Sequence, residues 1–225
     1  MSDIHLTKAF LPLYDMNYTA LSAPVPLSTQ KWKTCVKPKV TIACIAYNHA
    51  AFISDAIEGF LMQETTFPVE IILHDDASTD RTADIIRTYQ YRYPHLIRSV
   101  IQEENQYSKG RKPGKIVLER AQGEYIAVCE GDDYWTSPSK LEKQVRYLEQ
   151  HRDVVLCFHD VQLIDATGHV LADSKIKVVR QNNHPPNRVT TVKDLRKTLI
   201  PTPSVVYRNV GSVLKERGHW LMNGD

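Results

Sequence analysis

Residues 40–49 read Val-Thr-Ile-Ala-Cys-Ile-Ala-Tyr-Asn-His, an apolar and β-branched run that ends in a polar break. A short run of this kind predicts a buried strand, because the residues on both faces of the strand are mostly apolar. Apolar residues then recur at helical spacing from Phe52 to Leu61 and predict a helix directly after the strand. A buried strand followed by a helix is typical of a parallel sheet covered by helices.

The same alternation continues along the chain. Further strands are predicted at residues 70–74, 97–101 and 125–129. Further helices are predicted around residues 83–89, over residues 116–121 and after Pro138. This order predicts an α/β fold with a mostly parallel central sheet flanked by helices.

The composition of the 225 residues is that of an ordinary globular protein, with 42% hydrophobic and 24% charged residues. The formal net charge is +2 and the basic residues are scattered, so no nucleic-acid partner is predicted. No run reaches the roughly 18–20 apolar residues of a membrane-spanning helix, and the N-terminus lacks a signal-peptide pattern. The 4 cysteines form no CxxC pair, which disfavours a zinc ribbon or disulfide scaffold and favours a cytoplasmic location.

The chain divides by composition at residue 37. Residues 1–37 contain prolines, serines and threonines without a sustained period, which predicts an N-terminal extended arm, either loose or docked. Residues 38–225 carry the regular pattern and form the predicted domain. After residue 150 this domain is expected to contain a small hairpin, with strands from residues 154–164 and 170–171 around a turn at 165–168. A loop at residues 173–188, a short helix at 192–199 and a strand at 204–207 are predicted to follow.

Polar side chains follow three of the predicted parallel strands, at the edge where ligands bind in such sheets. They are Tyr47 and Asn48 after the first strand, Asp75 and Asp76 after the second, and Glu130, Asp132 and Asp133 after the fourth. Acids gathered at one edge repel each other unless a positive group joins them. Mg²⁺ or Mn²⁺ is the simplest partner, because hard carboxylate oxygens suit both ions. The residues therefore predict a nucleotide-diphosphate pocket in which the ion bridges carboxylate and phosphate oxygens.

Competing signatures are missing from the sequence. The 9 glycines form neither GxGxxG nor GxxxxGK[ST], which disfavours a dinucleotide-binding Rossmann domain and a P-loop protein. Neither GxSxG nor HExxH occurs, which disfavours a serine hydrolase and a zinc protease.

Three motifs in order resemble the inverting, nucleotide-sugar-dependent glycosyltransferases of family 2, which have the GT-A fold. These motifs are residues 40–49, residues 75–82, and residues 123–126 leading into residues 130–135. The resemblance covers residues 38–225, and the hairpin region and residues 200–208 are also similar to bacterial members. It implies a GT-A nucleotide-diphospho-sugar transferase domain with the hairpin in its acceptor half.

The resemblance assigns donor-binding roles to individual residues. Tyr47 matches the aromatic residue that packs on the nucleobase, and Asn48 lies beside it. Asp75 and Asp76 match an acid pair, one of which is expected to accept a hydrogen bond from a ring N–H of uracil or thymine. Asp76 is the first choice for this contact.

Residues 130–132 match the DxD motif of the family. Asp132 is expected to bind the metal and contact the ribose, and Asp133 is the second expected metal ligand. Glu130 departs from the usual aspartate, and its longer side chain could reach the metal or the sugar.

The chemistry implied by the family is one displacement at the anomeric carbon. An acceptor hydroxyl attacks, a carboxylate takes its proton, and the nucleoside diphosphate leaves. Asp225 matches the place where this base is expected. Because the family normally continues with a helix after this aspartate, the domain is expected to be truncated at its C-terminal end.

The sequence thus predicts a metal-dependent glycosyltransferase that moves a sugar from a UDP-, dTDP- or GDP-linked donor to a glycan or lipid-linked acceptor. The implied pathway is cell-surface polysaccharide or lipopolysaccharide synthesis, in the cytoplasm, with peripheral association at the inner face of the membrane left open. One alternative is a non-catalytic nucleotide-sugar-binding module without a competent base. A nucleotidyltransferase would need a basic glycine-rich signature near the first strand, which residues 46–50 do not provide.

Overall fold

A computed structural model describes residues 18–32, 36–171 and 200–209. The described strands are β1 Val25–Pro26, β2 Val40–Ala46, β3 Glu64–Thr65, β4 Val69–Asp75, β5 Ile97–Ile101, β6 Tyr125–Glu130, β7 Leu156–Cys157, β8 Leu163–Ile164, β9 Val170–Leu171 and β10 Val206–Arg208. The described α-helices are α1 Ile53–Leu61, α2 Thr82–Arg92, α3 Pro113–Leu118 and α4 Lys140–Gln150. Short 3₁₀ turns lie at Leu27–Thr29, Tyr107–Lys109 and Thr202–Ser204.

The central sheet has six strands in the order β5-β4-β2-β6-β10-β7. The strands from β5 to β6 are parallel, whereas β10 is antiparallel to both of its neighbours. The predicted α/β fold and mostly parallel sheet are therefore confirmed. The predicted hairpin is present as β8 paired with β9.

The sheet is buried on both faces, which explains the near-continuous apolar runs of its strands. Val40, Ile42 and Cys44 of β2 face a large core that includes side chains of α1, α2 and α4. Ala43 faces a smaller core on the opposite side, which Val117 of α3 joins. The strand order and this double burial place the ends of β2, β4 and β6 side by side at one edge.

Three predicted elements differ from the structure. The helix expected at residues 116–121 is Pro113–Leu118, because Pro113 provides a preset φ at the first turn, where its missing N–H costs nothing. The strand expected at 204–207 is Val206–Arg208, since Ser204 belongs to a 3₁₀ turn. The run 154–164 is not one hairpin strand, because Leu156–Cys157 joins the central sheet beside β10. The loop and helix expected at 173–188 and 192–199 lie outside the described residues.

Part of the predicted N-terminal arm docks on the domain. β1 pairs antiparallel with β3, and Leu27 is buried in the main core. Gln30 reinforces this contact by donating from Nε2 to the carbonyls of Val25 and Thr65. The division of the chain at residue 37 stays a prediction.

Within the described ranges, none of the helices has the length and apolarity that crossing a membrane requires. Cys44 and Cys129 are buried free thiols, and Cys157 is a partly buried one. Burial raises the pKa of Cys157 to about 11, although a hydrogen bond from Gln144 opposes the shift. At neutral pH this group is therefore a thiol that packs in the core.

Candidate functional site

The predicted site residues meet at one edge of the sheet. β2 is paired with β4 so that Ala46 lies opposite Asp75, and with β6 so that Ile45 lies opposite Glu130. The loops that leave these three strands therefore start side by side. The structure thus brings together the residues predicted at the three strand ends, whereas Asp225 lies outside the described residues.

Three acids lie in residues 130–133, which comprise the last residue of β6 and the loop that follows it. We call this segment the acidic loop. Glu130, Asp132 and Asp133 can each offer one carboxylate oxygen, and these oxygens lie within 4.8 Å of one another. Glu130 and Asp132 are exposed, and Asp133 is partly exposed. Hard oxygens at this spacing suit a divalent cation, so the residues fit the Mg²⁺ or Mn²⁺ expected from the sequence.

Gly131 allows the acidic loop to lie directly against the start of α1 and against His49 before it. A Cβ at this position would lie 2.8 Å from Ile53 Cδ1 and 2.9 Å from His49 Nδ1. The Gly131 N–H also donates to Ile45 O at 2.9 Å, which continues the pairing of β2 and β6. His49 Nε2 lies 3.7 Å from Asp132 Oδ2, at the border of the acidic loop.

The acid pair after β4 has a different environment. Asp76 is 2% exposed, and its two oxygens accept hydrogen bonds from the backbone N–H groups of Gln106, at 2.8 Å, and Tyr107, at 3.0 Å. Asp75 is 1% exposed and accepts from Ser78 through both the backbone N–H and the hydroxyl. Both carboxylates therefore hold the loops of the site in place. A contact of either one with a nucleobase stays a prediction.

The loops after β2 and β4 are joined by side-chain hydrogen bonds. Asn48 donates its backbone N–H to Ser78 Oγ at 2.8 Å, and Asn48 Oδ1 accepts from the Thr79 N–H at 2.8 Å. Asp80 Oδ2 accepts from the Ala50 N–H at 3.0 Å. Asn48 is therefore a link between two loops as well as a neighbour of Tyr47.

Asp80 also lies just before α2, which begins at Thr82. Its Oδ1 accepts from the backbone N–H and the hydroxyl of Thr82. Desolvation opposes ionisation of Asp80, but these hydrogen bonds and the one from Ala50 outweigh it and lower the pKa of the carboxyl. The ionised form is thus the one that holds the two loops together.

Two residues of these loops adopt left-handed backbone conformations. Asn48 has φ 57° and Ala77 has φ 61°. Asparagine tolerates this region, whereas alanine pays roughly 1–2 kcal/mol for it. The hydrogen bonds between Asp75 and Ser78 close the loop around Ala77 and hold it in this conformation.

Tyr47 is exposed at the end of β2, with 44% of its surface accessible. The ring is therefore accessible, and its predicted role as a platform for the nucleobase stays a prediction. Trp135 is different, because it is only 4% exposed and packs edge-on against Phe60 with ring centres 4.8 Å apart. Trp135 therefore belongs to the core.

Lys140 is a residue of the site region that sequence reasoning missed. It is the first residue of α4 and is 5% exposed. Burial lowers the pKa of its ammonium group to about 7, although the nearby thiols of Cys129 and Cys157 oppose the shift. The signal was present in the sequence, because Lys140, Gln144 and Leu148 follow each other at spacing i, i+4 and share one face of the helix.

Comparison with known proteins agrees with this fold. The sequence model of glycosyl transferase family 2 matches residues 41–209. The chain belongs to glycosyl transferase family 2. A search of solved structures finds Staphylococcus aureus TarS 1–349 in complex with UDP-GlcNAc, with a TM-score of 0.58 and 22% identity over 81% of this chain and 48% of that one. It also finds the mannosyltransferase PcManGT from Pyrobaculum calidifontis in complex with GDP-Man and Mn²⁺, with a TM-score of 0.57 and 18% identity over 84% of this chain and 50% of that one.

These structural similarities establish the GT-A fold. Among sequence relatives, the uncharacterized protein Rv1520 of Mycobacterium tuberculosis (strain ATCC 25618 / H37Rv) is 43% identical over 75% of this chain and 46% of its own length. The putative teichuronic acid biosynthesis glycosyltransferase TuaG of Bacillus subtilis (strain 168) is 34% identical over 73% of this chain and 60% of its own length. The chain thus spans about half the length of the relatives it matches.

Proposed function

We propose that this chain carries the donor-binding part of a glycosyltransferase that uses a nucleotide-diphosphate sugar and a divalent cation. The observation that carries the proposal is the acidic loop, whose three carboxylates cluster at the end of β6. The exposed ring of Tyr47, just after the neighbouring β2, supports it. A site for such a donor must hold both the charged diphosphate and the flat nucleobase.

In this proposal the acidic loop holds Mg²⁺ or Mn²⁺ through Asp132 and Asp133, and Glu130 contacts the metal or the sugar. The cation would offset negative charge on the leaving diphosphate. Tyr47 packs on the nucleobase, and Asn48 keeps its loop in position through Ser78 and Thr79. The neighbours named above were solved with UDP-GlcNAc or with GDP-Man and Mn²⁺, which supports a nucleotide-sugar donor for this chain.

Asp76 is the proposed acceptor of a ring N–H of the nucleobase, with Asp75 beside it. Each carboxylate oxygen can accept two hydrogen bonds, and Asp76 uses one on each oxygen for the backbone of residues 106 and 107. The remaining acceptor sites support the contact. Because Asp76 is almost fully buried, the base would have to reach a carboxylate that is already bonded to the backbone of residues 106 and 107.

The reaction we propose is a single displacement that inverts the anomeric carbon. The acceptor oxygen forms the new bond while the bond from the anomeric carbon to the diphosphate oxygen breaks, and the electron pair leaves with the diphosphate. A carboxylate on the acceptor side, proposed to be Asp225, takes the hydroxyl proton. The name of TuaG supports cell-surface polysaccharide synthesis, which we propose as the pathway, with a glycan or lipid-linked acceptor, in the cytoplasm or at the inner face of the membrane.

A binding titration tests this proposal. Wild type is titrated with UDP-, dTDP- and GDP-sugars with and without Mn²⁺, beside Asp132→Ala. The control is Asp153→Ala, which changes an exposed acid just after α4. Asp153 lies at the opposite edge of the sheet, because the carbonyl of the adjacent Val154 accepts a hydrogen bond from Arg208 in β10. We expect Mn²⁺-dependent binding of one nucleotide class, lost in Asp132→Ala and kept in Asp153→Ala. Failure of all three classes to bind with Mn²⁺ would contradict the proposal.

Turnover separates an enzyme from a binding module. The anomeric configuration of the product sugar, followed by NMR, is expected to be opposite to that of the donor, and Asp225→Ala is expected to bind donor but lose turnover. Donor binding without turnover in wild type would favour the non-catalytic module. Full turnover in Asp225→Ala would show that the base is another residue.

A further inference from the structure

Lys140 lies in an unusual environment for a lysine. Its Nζ donates to Gln144 Oε1 at 2.8 Å and lies 4.2 Å from the centre of the Trp135 ring, within cation–π distance. Lysine is almost never fully buried without compensation, because an ammonium group loses its hydration there. These two contacts are the compensation, and they connect Lys140 to two different parts of the protein.

Trp135 connects Lys140 to the acidic loop. It follows Asp133 by two residues, and its Nε1 donates to Pro203 O at 2.8 Å. Its backbone lies against α1, where a Cβ on Gly59 would come within 2.9 Å of the Trp135 nitrogen and oxygen. The segment directly after the acidic loop is therefore held between α1 and residue 203.

Gln144 connects Lys140 to the other side. Its Nε2 donates to Ser204 O at 2.9 Å and to Cys157 O at 3.3 Å. Ser204 lies in the turn before β10, and Cys157 lies in β7, so Gln144 holds the strands at that end of the sheet. Trp135 and Gln144 thus contact neighbouring carbonyls of residues 203 and 204, and Lys140 contacts both side chains.

We propose that Lys140 is a positioning residue that fixes the acidic loop relative to residues 201–208 through Trp135 and Gln144. The inference rests on the proposed function, in which the acidic loop carries the donor and the chain after β10 leads to the acceptor side. Transfer requires these two parts to keep a fixed relative position, because misplacing reacting groups by about 1 Å can cost about 100-fold in rate. An apolar residue could fill the space of Lys140, but it would leave Gln144 Oε1 without its donor.

Three variants of the full chain test the two connections separately. Lys140→Met removes the cation and the donor. Gln144→Glu keeps an acceptor for Lys140 but replaces the Nε2 donor to Ser204 and Cys157. Lys143→Met, an exposed lysine of the same helix, is the matched control. Hydrogen–deuterium exchange is measured on peptides covering residues 131–136 and 202–208, with residues 40–46 as internal reference, and Mn²⁺ affinity is measured by titration in the presence of UDP.

For Lys140→Met we expect exchange to rise by about tenfold in both test peptides and not in the reference peptide. We expect its Mn²⁺ affinity to fall by about tenfold, because Trp135, which follows Asp133 by two residues, would lose its contact with Lys140. Gln144→Glu is expected to raise exchange in residues 202–208 alone and to keep Mn²⁺ affinity within about twofold. Lys143→Met is expected to match wild type in every measurement.

Exchange that stays at the wild-type level in Lys140→Met, or that rises equally in the reference peptide, would overturn the proposal. If Lys140→Met does not fold, Gln144→Glu decides, because loosening of all three peptides together would indicate a general packing role. A wild type that binds no Mn²⁺ with UDP counts against the proposed function, and the exchange pattern still decides the role of Lys140.

Discussion

Two groups of acids follow neighbouring strands of the same sheet, yet their environments are opposite. Asp75 and Asp76 are buried and accept hydrogen bonds from the residues of their own loops. The side chain of Asp132 is 51% exposed, and its oxygens cluster with those of Glu130 and Asp133. The same residue type at equivalent strand ends thus holds loops together in one case and remains available to a ligand in the other.

The difference arises from the chain that surrounds each group. Residues 105–109 fold back over Asp76, so that backbone N–H groups satisfy its carboxylate. The acidic loop lies against Ile53 and His49 at Gly131, and its acids Glu130 and Asp132 are exposed. Carboxylates that accept hydrogen bonds inside the protein contribute to stability, whereas exposed carboxylates gathered in one place suit a divalent cation.

Asp76→Ala is expected to give the largest effect. Two backbone N–H groups, of Gln106 and Tyr107, would lose a charged acceptor in a buried place, so the free energy of unfolding is expected to fall by about 3 kcal/mol. Urea unfolding measures this loss. Asp132→Ala is the control and is expected to stay within about 0.5 kcal/mol of wild type. Equal losses in the two variants would remove the contrast between the two acid groups.

The buried Lys140 predicts a pH dependence of the free energy of unfolding. The pKa of Lys140 is about 7 in the folded protein and is expected near 10.4 in the unfolded chain. Between these values the unfolded chain binds the proton and the folded protein does not, so the free energy of unfolding rises with pH. From pH 7 to pH 9 the rise is expected to be about 2 kcal/mol greater in wild type than in Lys140→Met.

Urea unfolding of wild type and Lys140→Met across this pH range checks the difference. Lys143→Met, whose lysine is exposed, is expected to follow the wild-type curve. Parallel curves for wild type and Lys140→Met would show that the buried ammonium group does not titrate there.

A smaller effect is expected for the charge of the acidic loop. Asp132→Asn keeps the size of the side chain but removes one negative charge, so Mn²⁺ affinity is expected to fall by about tenfold, or about 1.4 kcal/mol. Titration of Mn²⁺ against the folded protein measures it, with Asp153→Asn as the control. Unchanged affinity in Asp132→Asn would place the cation elsewhere.

The smallest effect concerns Ala77, within the loop of the buried acids. Ala77→Gly removes a left-handed strain of roughly 1–2 kcal/mol and adds an entropic cost of roughly 0.5–1 kcal/mol in the unfolded chain. The net change is expected to be a stabilisation of about 0.5 kcal/mol, measured as a higher urea midpoint with an unchanged slope. A destabilised variant would mean that the loop needs the restricted backbone of alanine.

Much of the fold could be predicted from local pattern. The parallel strands and the helices between them follow from apolar periodicity, and the family follows from three motifs in order. The antiparallel position of β10 and the entry of residues 156–157 into the sheet could not be predicted. Those short strands acquire their partners from residues far away in the chain, and their own sequences carry no distinctive period.

For the site, the sequence by itself determined which residues would gather at the edge of the sheet, because parallel strands bring their carboxyl ends together. Only the tertiary structure decided which acids are buried and which are exposed, since that depends on residues 105–107 reaching Asp76 and on Gly131 lying against His49 and Ile53. The burial of Lys140 was decided in the same way, through a cation–π contact with Trp135 and through Gln144, which bonds to Ser204 sixty residues away. Local sequence records periodicity, whereas the contacts that satisfy or expose a charge form only when distant segments meet.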